Sequence, residues 1–213
     1  MKRPSRPHVI SKVLRLLPSS LPPPKSFKPP KALFLGEGDF SFTSTLHSNL
    51  LSHSVPTRWV CTSYEPAAAV LSKYKEKASS SLSYLREAEG CEVLHGVDAM
   101  NLDKCQPLEG EKFDLIIFMF PHSGTQRTHV NRELISRYFS TSLSLASPTC
   151  VVWVATTDCQ PYNSWRIPES AKGHGYEEVK DWRWSLREEG LKGYEHVTTL
   201  GEEAYGGKGG AML

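Results

Sequence analysis

Five short runs of β-branched and aromatic residues, separated by stretches long enough for a helix, constrain this chain more than any other feature. They are ALFLG (Ala32 to Gly36), TRWVCTSYE (Thr57 to Glu65), CEVLHGVD (Cys91 to Asp98), FDLIIFMF (Phe113 to Phe120) and TCVVWVATT (Thr149 to Thr157). Runs this apolar, without strict alternation, fit strands buried on both faces, and the intervals predict helices over Ser41 to Leu51, Pro66 to Lys77 continuing towards Ala88, and Asn131 to Leu145. A further segment, Trp165 to Ser185, adds a helix and a sixth strand. Alternation of this kind predicts a doubly wound α/β fold with a mostly parallel sheet of six or seven strands.

Charge divides the chain unevenly. Met1 to Lys31 holds eight Lys and Arg, no Asp or Glu, and eight of the 15 prolines, leaving 17 basic against 23 acidic residues beyond it. The expectation is an unstructured basic tail over residues 1–31 and one globular domain over 32–213. Such an arm attracts phosphates without reading sequence, or serves only as a solvated linker. The run VISKVLRLL within it also reads as a short basic amphipathic helix, as in organelle transit peptides. Five cysteines without a CxxC pair read as reduced thiols, and no apolar run of about 18 residues predicts a membrane span. Histidines and cysteines never fall at ligand spacing, so no metal is expected.

In an open α/β sheet, ligands sit at the carboxyl ends of the strands, and here those ends are rich in glycines and acids. The first run ends in GEGDFS, where Gly36 and Gly38 permit a tight turn and Glu37, Asp39 and Ser41 surround the start of the next helix. The second ends in Glu65, an acid placed to take both ribose hydroxyls of an adenosine ligand, and the third in Asp98, placed to accept from an adenine amino group. Each also has a plainer reading as a turn or helix-start acid. The residue three beyond Gly38 is Ser41 and not a third glycine, which disfavours a dinucleotide and favours S-adenosylmethionine.

The fourth run leaves the sheet through FPHSG. His122 on that loop is a candidate proton shuttle or a brace for the loop, Phe120 a candidate stacking surface, and Pro121 a rigid turn beside them.

LFLGEGDFSF, TSYE, KY (Lys73 and Tyr74), GVDA, FDLIIFMFPHSG, NRELISRYF, YNSWRI and GYEHVTTLG together resemble the eukaryotic ribosomal RNA uridine-N(3) methyltransferase-like family, over nearly all of Ala32 to Gly201. The resemblance implies a Rossmann-type class I S-adenosylmethionine-dependent methyltransferase. Its target would be a uracil ring nitrogen of large-subunit ribosomal RNA, on a monomer in the nucleolus, with cytoplasm or mitochondrion as alternatives. It gives Gly36, Glu37, Gly38, Asp39, Glu65 and Asp98 to the cofactor, and Phe120, Pro121 and His122 to the target base, with His122 as candidate base. Met119 stands where that family's fourth motif carries asparagine, Val197 and Thr198 stand where its late motif is basic, and little strand-forming sequence follows Gly201. These departures support the alternative, a catalytically inactive cofactor- or RNA-binding module of the same fold.

Overall fold

The structure, a computed structural model, describes residues 9–16, 31–50, 58–157 and 159–178. In chain order its elements are β1 (Val9–Leu16), β2 (Lys31–Leu35), α1 (Ser41–Leu50), β3 (Arg58–Ser63), α2 (Ala67–Glu87), β4 (Cys91–His95), β5 (Phe113–Met119), α3 (Thr128–Ser142), β6 (Ala146–Thr157), α4 (Ile167–Gly173) and β7 (Tyr176–Glu178). The strands order as β4-β3-β2-β5-β6-β1-β7. From β4 to β6 every pairing is parallel, so the expected α/β sheet flanked by helices is present as a five-strand parallel core.

Both faces of that core are covered, which is why its strands read as continuous apolar runs. On β2, Leu33 and Leu35 join one cluster with Leu134, Ile135, Tyr138 and Phe139 of α3, while Ala32 and Phe34 join the other with Leu46 of α1 and Leu82 and Leu85 of α2. Phe34 stacks on Trp59 with ring centroids 4.9 Å apart, a parallel contact worth about 1 kcal/mol beyond its buried area. Helix α3 begins and ends three residues earlier than the periodicity predicts. Helix α2 breaks at Lys75, whose φ of 47° is not helical, directly after Tyr74.

The basic segment departs from expectation. Within the tail expected to lack structure, Val9–Leu16 forms a strand antiparallel to β6, with Val9 facing Thr157 and Arg15 facing Val151. Its β-branched run satisfies the backbone edge that β6 would otherwise leave open, a gain that a helix here would forgo. β7 pairs antiparallel with the far side of β1 and therefore runs with the core strands. The residues beyond Gly201 and the late motif around Val197 and Thr198 lie outside the described residues.

At the amino ends of the strands, remote from the glycine turn, Arg58 donates to Glu92 and to Glu111, each at 2.6 Å, and Lys31 pairs with Glu111 at 3.1 Å. Arg58 first, then Lys31, holds the Glu111 carboxyl below its usual range. A depressed folded pKa contributes stability above the unfolded pKa and loses it as pH falls through the folded one. Arg58→Met is therefore expected to cost about 1 kcal/mol near neutral pH, because partly exposed pairs are weakened by solvent. The cost should shrink towards pH 3 and in high salt, and urea unfolding at both pH values checks it.

Candidate active site

The carboxyl ends of the core strands are tied together past the regular pairing. Glu37 N–H donates to Thr62 O at 2.8 Å, Val97 N–H to Ser63 O at 3.0 Å, and Phe120 N–H to Ala155 O at 2.8 Å. Leu35 lies opposite Phe118, so the turn after β2 sits beside the loop after β5. The residues expected at the site thus share one edge of the sheet, in the order Asp98, Glu65, Gly36 to Asp39, then Phe120 to His122.

Within the turn, Gly36 has a φ of +69°, and a Cβ there would lie 2.7 Å from the Phe118 ring. A Cβ on Gly38 would lie 2.9 Å from Tyr74 Oη. Gly36 is thus required by its left-handed backbone and by Phe118, whereas a side chain at Gly38 would need only the far end of Tyr74 to move aside. Asp39, not Ser41, closes the start of α1: its Oδ1 accepts from Ser41 N–H at 3.0 Å and from Ser41 Oγ at 2.6 Å. Its Oδ2 is buried and has no partner in the protein. Glu37 is buried too, and loss of hydration raises its pKa from 4.5 to about 8; Thr43 pulls it back in part, while Asp39 pushes it further up.

Glu65 is half-buried and pairs with Lys73 at 3.1 Å, leaving one carboxylate oxygen without that contact. Asp98 caps the 3-10 turn Ala99–Lys104, its Oδ1 accepting from Met100 N–H at 2.9 Å and its Oδ2 from Asn101 Nδ2 at 2.7 Å. That is the plainer role foreseen for it, though each oxygen keeps a second lone pair.

Two histidines at this edge are set as opposite tautomers by their partners. Ser63 Oγ donates its one hydrogen to Glu65 O at 2.7 Å, so in its 2.7 Å contact with His95 it must accept from Nδ1–H. The buried His95 Nε2 is then an acceptor in the neutral ring. At His122 the reverse holds. Gly124 N–H donates to His122 Nδ1 at 2.8 Å, and burial lowers the ring's pKa, so the neutral form carries its hydrogen on Nε2, which is buried without a partner. As set, His122 offers a donor there; to act as a base it would have to give up the Gly124 bond.

Three contributors were not anticipated as site residues. Asn131, fully buried, holds the loop: its Oδ1 accepts from Ser123 N–H and Ser123 Oγ, each at 2.9 Å, and its Nδ2 donates to Thr125 O at 2.7 Å and Arg127 O at 3.1 Å. Its signal was an amide at the head of the apolar stripe Leu134, Ile135 and Tyr138. Trp165, 1% exposed, lies 5.7 Å from the His122 ring, centroid to centroid, and its indole N–H also lacks a partner. Tyr74 is the third, with a buried Oη that makes no hydrogen bond. Phe120 and Pro121 follow β5 directly, Phe120 half-buried with a φ of 51° and Pro121 buried. Among the described residues no group of three or more potential ligands could hold a metal, and no helix is long and apolar enough to cross a membrane.

The arrangement offers a glycine turn with an unpaired acceptor on one side and, across Met119, two N–H groups carried on rings that meet at a tilt of 54°. Comparison with known sequences identifies relatives of the chain. A family described as rRNA (uridine-N3-)-methyltransferase BTM5-like matches residues 33–198. The chain is 34% identical over 146 residues to heavy metal-associated isoprenylated plant protein 41 of Arabidopsis thaliana, covering 65% of this chain and 27% of that protein. It is 31% identical over 160 residues to a ferredoxin-fold anticodon-binding domain-containing protein 1 homolog of Mus musculus, covering 70% and 25% respectively. An uncharacterized Arabidopsis thaliana protein, 25% identical over 165 residues, is covered over 77% of its length. The chain thus spans about a quarter of the length of two of these relatives.

Proposed function

The chain belongs to the rRNA (uridine-N3-)-methyltransferase BTM5-like family, and on that premise we propose that it methylates N-3 of a uridine in large-subunit ribosomal RNA with S-adenosylmethionine as donor. The observation that carries the reading is the side-by-side placement of the two half-sites at one sheet edge. The glycine turn and its unpaired Asp39 Oδ2 suit a cationic amino-acid cofactor, and the unpaired His122 and Trp165 N–H groups suit a base rich in carbonyl oxygens.

The residues present fit that cofactor. Glu65 would take the ribose hydroxyls through the oxygen that Lys73 leaves free, Asp98 the adenine amino group through a second lone pair, and Gly36 to Asp39 the amino-acid end. Bound there, S-adenosylmethionine supplies a methyl group on a sulfonium, ready for in-line transfer to a nitrogen. N-3 of uracil lies between two carbonyl oxygens and must lose its proton as the methyl arrives. His122 Nε2–H, with the Trp165 ring against the imidazole, would hold such an oxygen and draw charge from the ring, making that proton easier to lose to solvent. The turn and the Asn131-pinned loop would position donor and acceptor against each other, and such positioning would supply most of the rate.

Removing one such donor is expected to lower kcat roughly 100-fold, so His122→Ala should do so with little change in cofactor affinity. His122→Gln, which keeps an N–H donor but cannot serve as a base, should retain well above the alanine level. If both variants are equally inactive, His122 is the base after all. The test of the whole reading is titration with S-adenosylmethionine followed by methyl incorporation into large-subunit ribosomal RNA, with Glu65→Ala as control. A folded chain that binds no cofactor would overturn it.

One observation favours a second reading, a silent binding module: Met119 brings no hydrogen-bonding side chain to the end of β5, between the two half-sites. Cofactor binding without methyl transfer to any ribosomal RNA would select it. The proposed setting is the nucleolus, with pre-ribosomal RNA as partner.

A further inference from the structure

We propose that Cys61 and Cys91 form a peroxide-reactive thiol pair, with Cys91 as the attacking sulfur, His47 as the base beside it and Cys61 as the resolving thiol. Cys91 opens β4, at the opposite end from the Asp98 edge, so the assignment does not depend on the cofactor reading. In the parallel register of β3 and β4, Trp59 faces Cys91 and Cys61 faces Val93. Side chains two apart along a strand share a face, so Trp59, Cys61 and Cys91 stand on one side of the sheet, the side that α1 and α2 cover. There Cys61 is fully buried, whereas Cys91, packed against the same cluster, is half-buried at the start of an edge strand. A small reagent therefore meets Cys91 first.

His47 completes the cluster. It is 2% exposed, its ring stands edge-on to Trp59 with centroids 5.1 Å apart, and its Nδ1 lies 2.9 Å from Tyr84 Oη. With Nδ1 engaged, Nε2 is the nitrogen left for the thiol of Cys91, the register neighbour of Trp59. Thiol, imidazole and orienting hydroxyl in that order make the arrangement that activates a nucleophile. The titratable side chains facing the Cys91 thiol are Cys61 from β3, His47 from α1 and Tyr84 from α2. The hydrogen bond from Cys61 first, and then His47 by hydrogen bond and charge, bring the Cys91 pKa down to about 6 against the opposing effect of burial. Burial pushes the Cys61 thiol well up, so Cys61 keeps its proton and donates it towards Cys91. Burial also raises Cys105 and Cys150, which marks them as inert thiols.

A partly exposed thiolate is the form that peroxides oxidise. The Cys91 sulfur attacks one oxygen of hydrogen peroxide and the O–O bond breaks. The departing hydroxide takes the proton held on His47 and leaves as water, and Cys91 becomes a sulfenic acid. Cys61 then attacks the Cys91 sulfur, its proton leaves with the hydroxyl as a second water, and an S–S bond forms. Two thiols are oxidised as one peroxide is reduced. Diagonal neighbours on adjacent strands lie about 7–8 Å apart at Cα, just beyond the usual disulfide span, and the first residue of an edge strand is where the backbone can give the rest.

The test treats the folded full chain with hydrogen peroxide and maps its thiols by peptide mass spectrometry. The wild type should yield a Cys61–Cys91 linked peptide ahead of oxidation at any other cysteine. Cys61→Ala should stop at a sulfenic acid on Cys91 that dimedone captures, and Cys91→Ser should leave Cys61 unoxidised at the same dose. Alkylation of Cys91 by iodoacetamide should titrate near pH 6 in the wild type, and His47→Gln should move that midpoint up towards the free-thiol value of about 8.5. Both wild-type measurements need no variant, so a substitution that unfolds the chain does not shield the proposal. Peroxide-treated wild type that keeps Cys61 and Cys91 unlinked, or Cys91 alkylation that titrates at about 8.5, overturns it and leaves two thiols that only fill the core.

Discussion

Glu37→Gln is expected to make the protein more stable at neutral pH, by about 1–3 kcal/mol, although Glu37 lies in the turn at the centre of the candidate site. Burial raises its pKa from 4.5 to about 8, so the folded chain holds a proton that the unfolded chain releases. Each tenfold change in proton affinity is worth about 1.4 kcal/mol. A raised folded pKa gives stability fully present below pH 4.5 and lost progressively up to about pH 8. Glutamine mimics the protonated carboxyl and has no proton to lose. Wild type and variant should therefore unfold at similar urea concentrations near pH 4.5 and diverge increasingly towards pH 8. Parallel curves across that range would mean that Glu37 is ionised in the fold, held by a partner strong enough to repay its burial.

Asn131→Asp should be among the most damaging single-atom changes available in this chain. The amide Nδ2 faces two carbonyl oxygens, Thr125 O and Arg127 O, and a carboxylate in its place sets oxygen against oxygen in a buried position. Losing both bonds and burying an unpaired charge is expected to cost about 3–5 kcal/mol at pH 7. Protonation would restore one donor. The aspartate pKa is then raised in the folded state, and the deficit should narrow as pH falls towards the unfolded value near 4. Asn131→Ala, which loses the bonds without adding charge, should cost about 2–4 kcal/mol with no such pH dependence. Either change frees the loop carrying His122, and a displacement of about 1 Å there is enough to lower turnover roughly 100-fold. Full activity in Asn131→Ala would show that the loop is set by its prolyl turn alone.

The parallel core and its loaded edge were legible because burial on both faces writes itself as continuous apolar runs, and because glycine and acid residues fall where those runs stop. Asp98 and Glu65 could be placed at the edge, but their present partners, Asn101 and Lys73, depend on side-chain reach that spacing does not give. Tautomers were beyond reading altogether. His95 and His122 look alike as letters, and only the serine and the glycine N–H beside them make one an acceptor and the other a donor at Nε2. Tyr74 and Trp165 fall within the KY and YNSWRI motifs, but their roles were hidden because an unpaired oxygen or nitrogen has no sequence signature. The strand at Val9–Leu16 was masked by its company, since prolines and lysines dominate the composition around it.

That strand also sets an order of events at the ribosome. β1 pairs with β6, Val9 against Thr157, and on its other side with β7, both made long after it, so it must wait while nearly the whole parallel core is made and exits. Until then β6, when it emerges, presents a bare hydrogen-bonding edge in a crowded compartment, the kind of surface that chaperones bind and neighbouring chains copy. In refolding, amides of residues 151–157 that face β1 should be the last of the sheet to resist hydrogen exchange, after those of β5, because this long-range closure comes at the end. The parallel core is thus closed by a strand that precedes it in sequence.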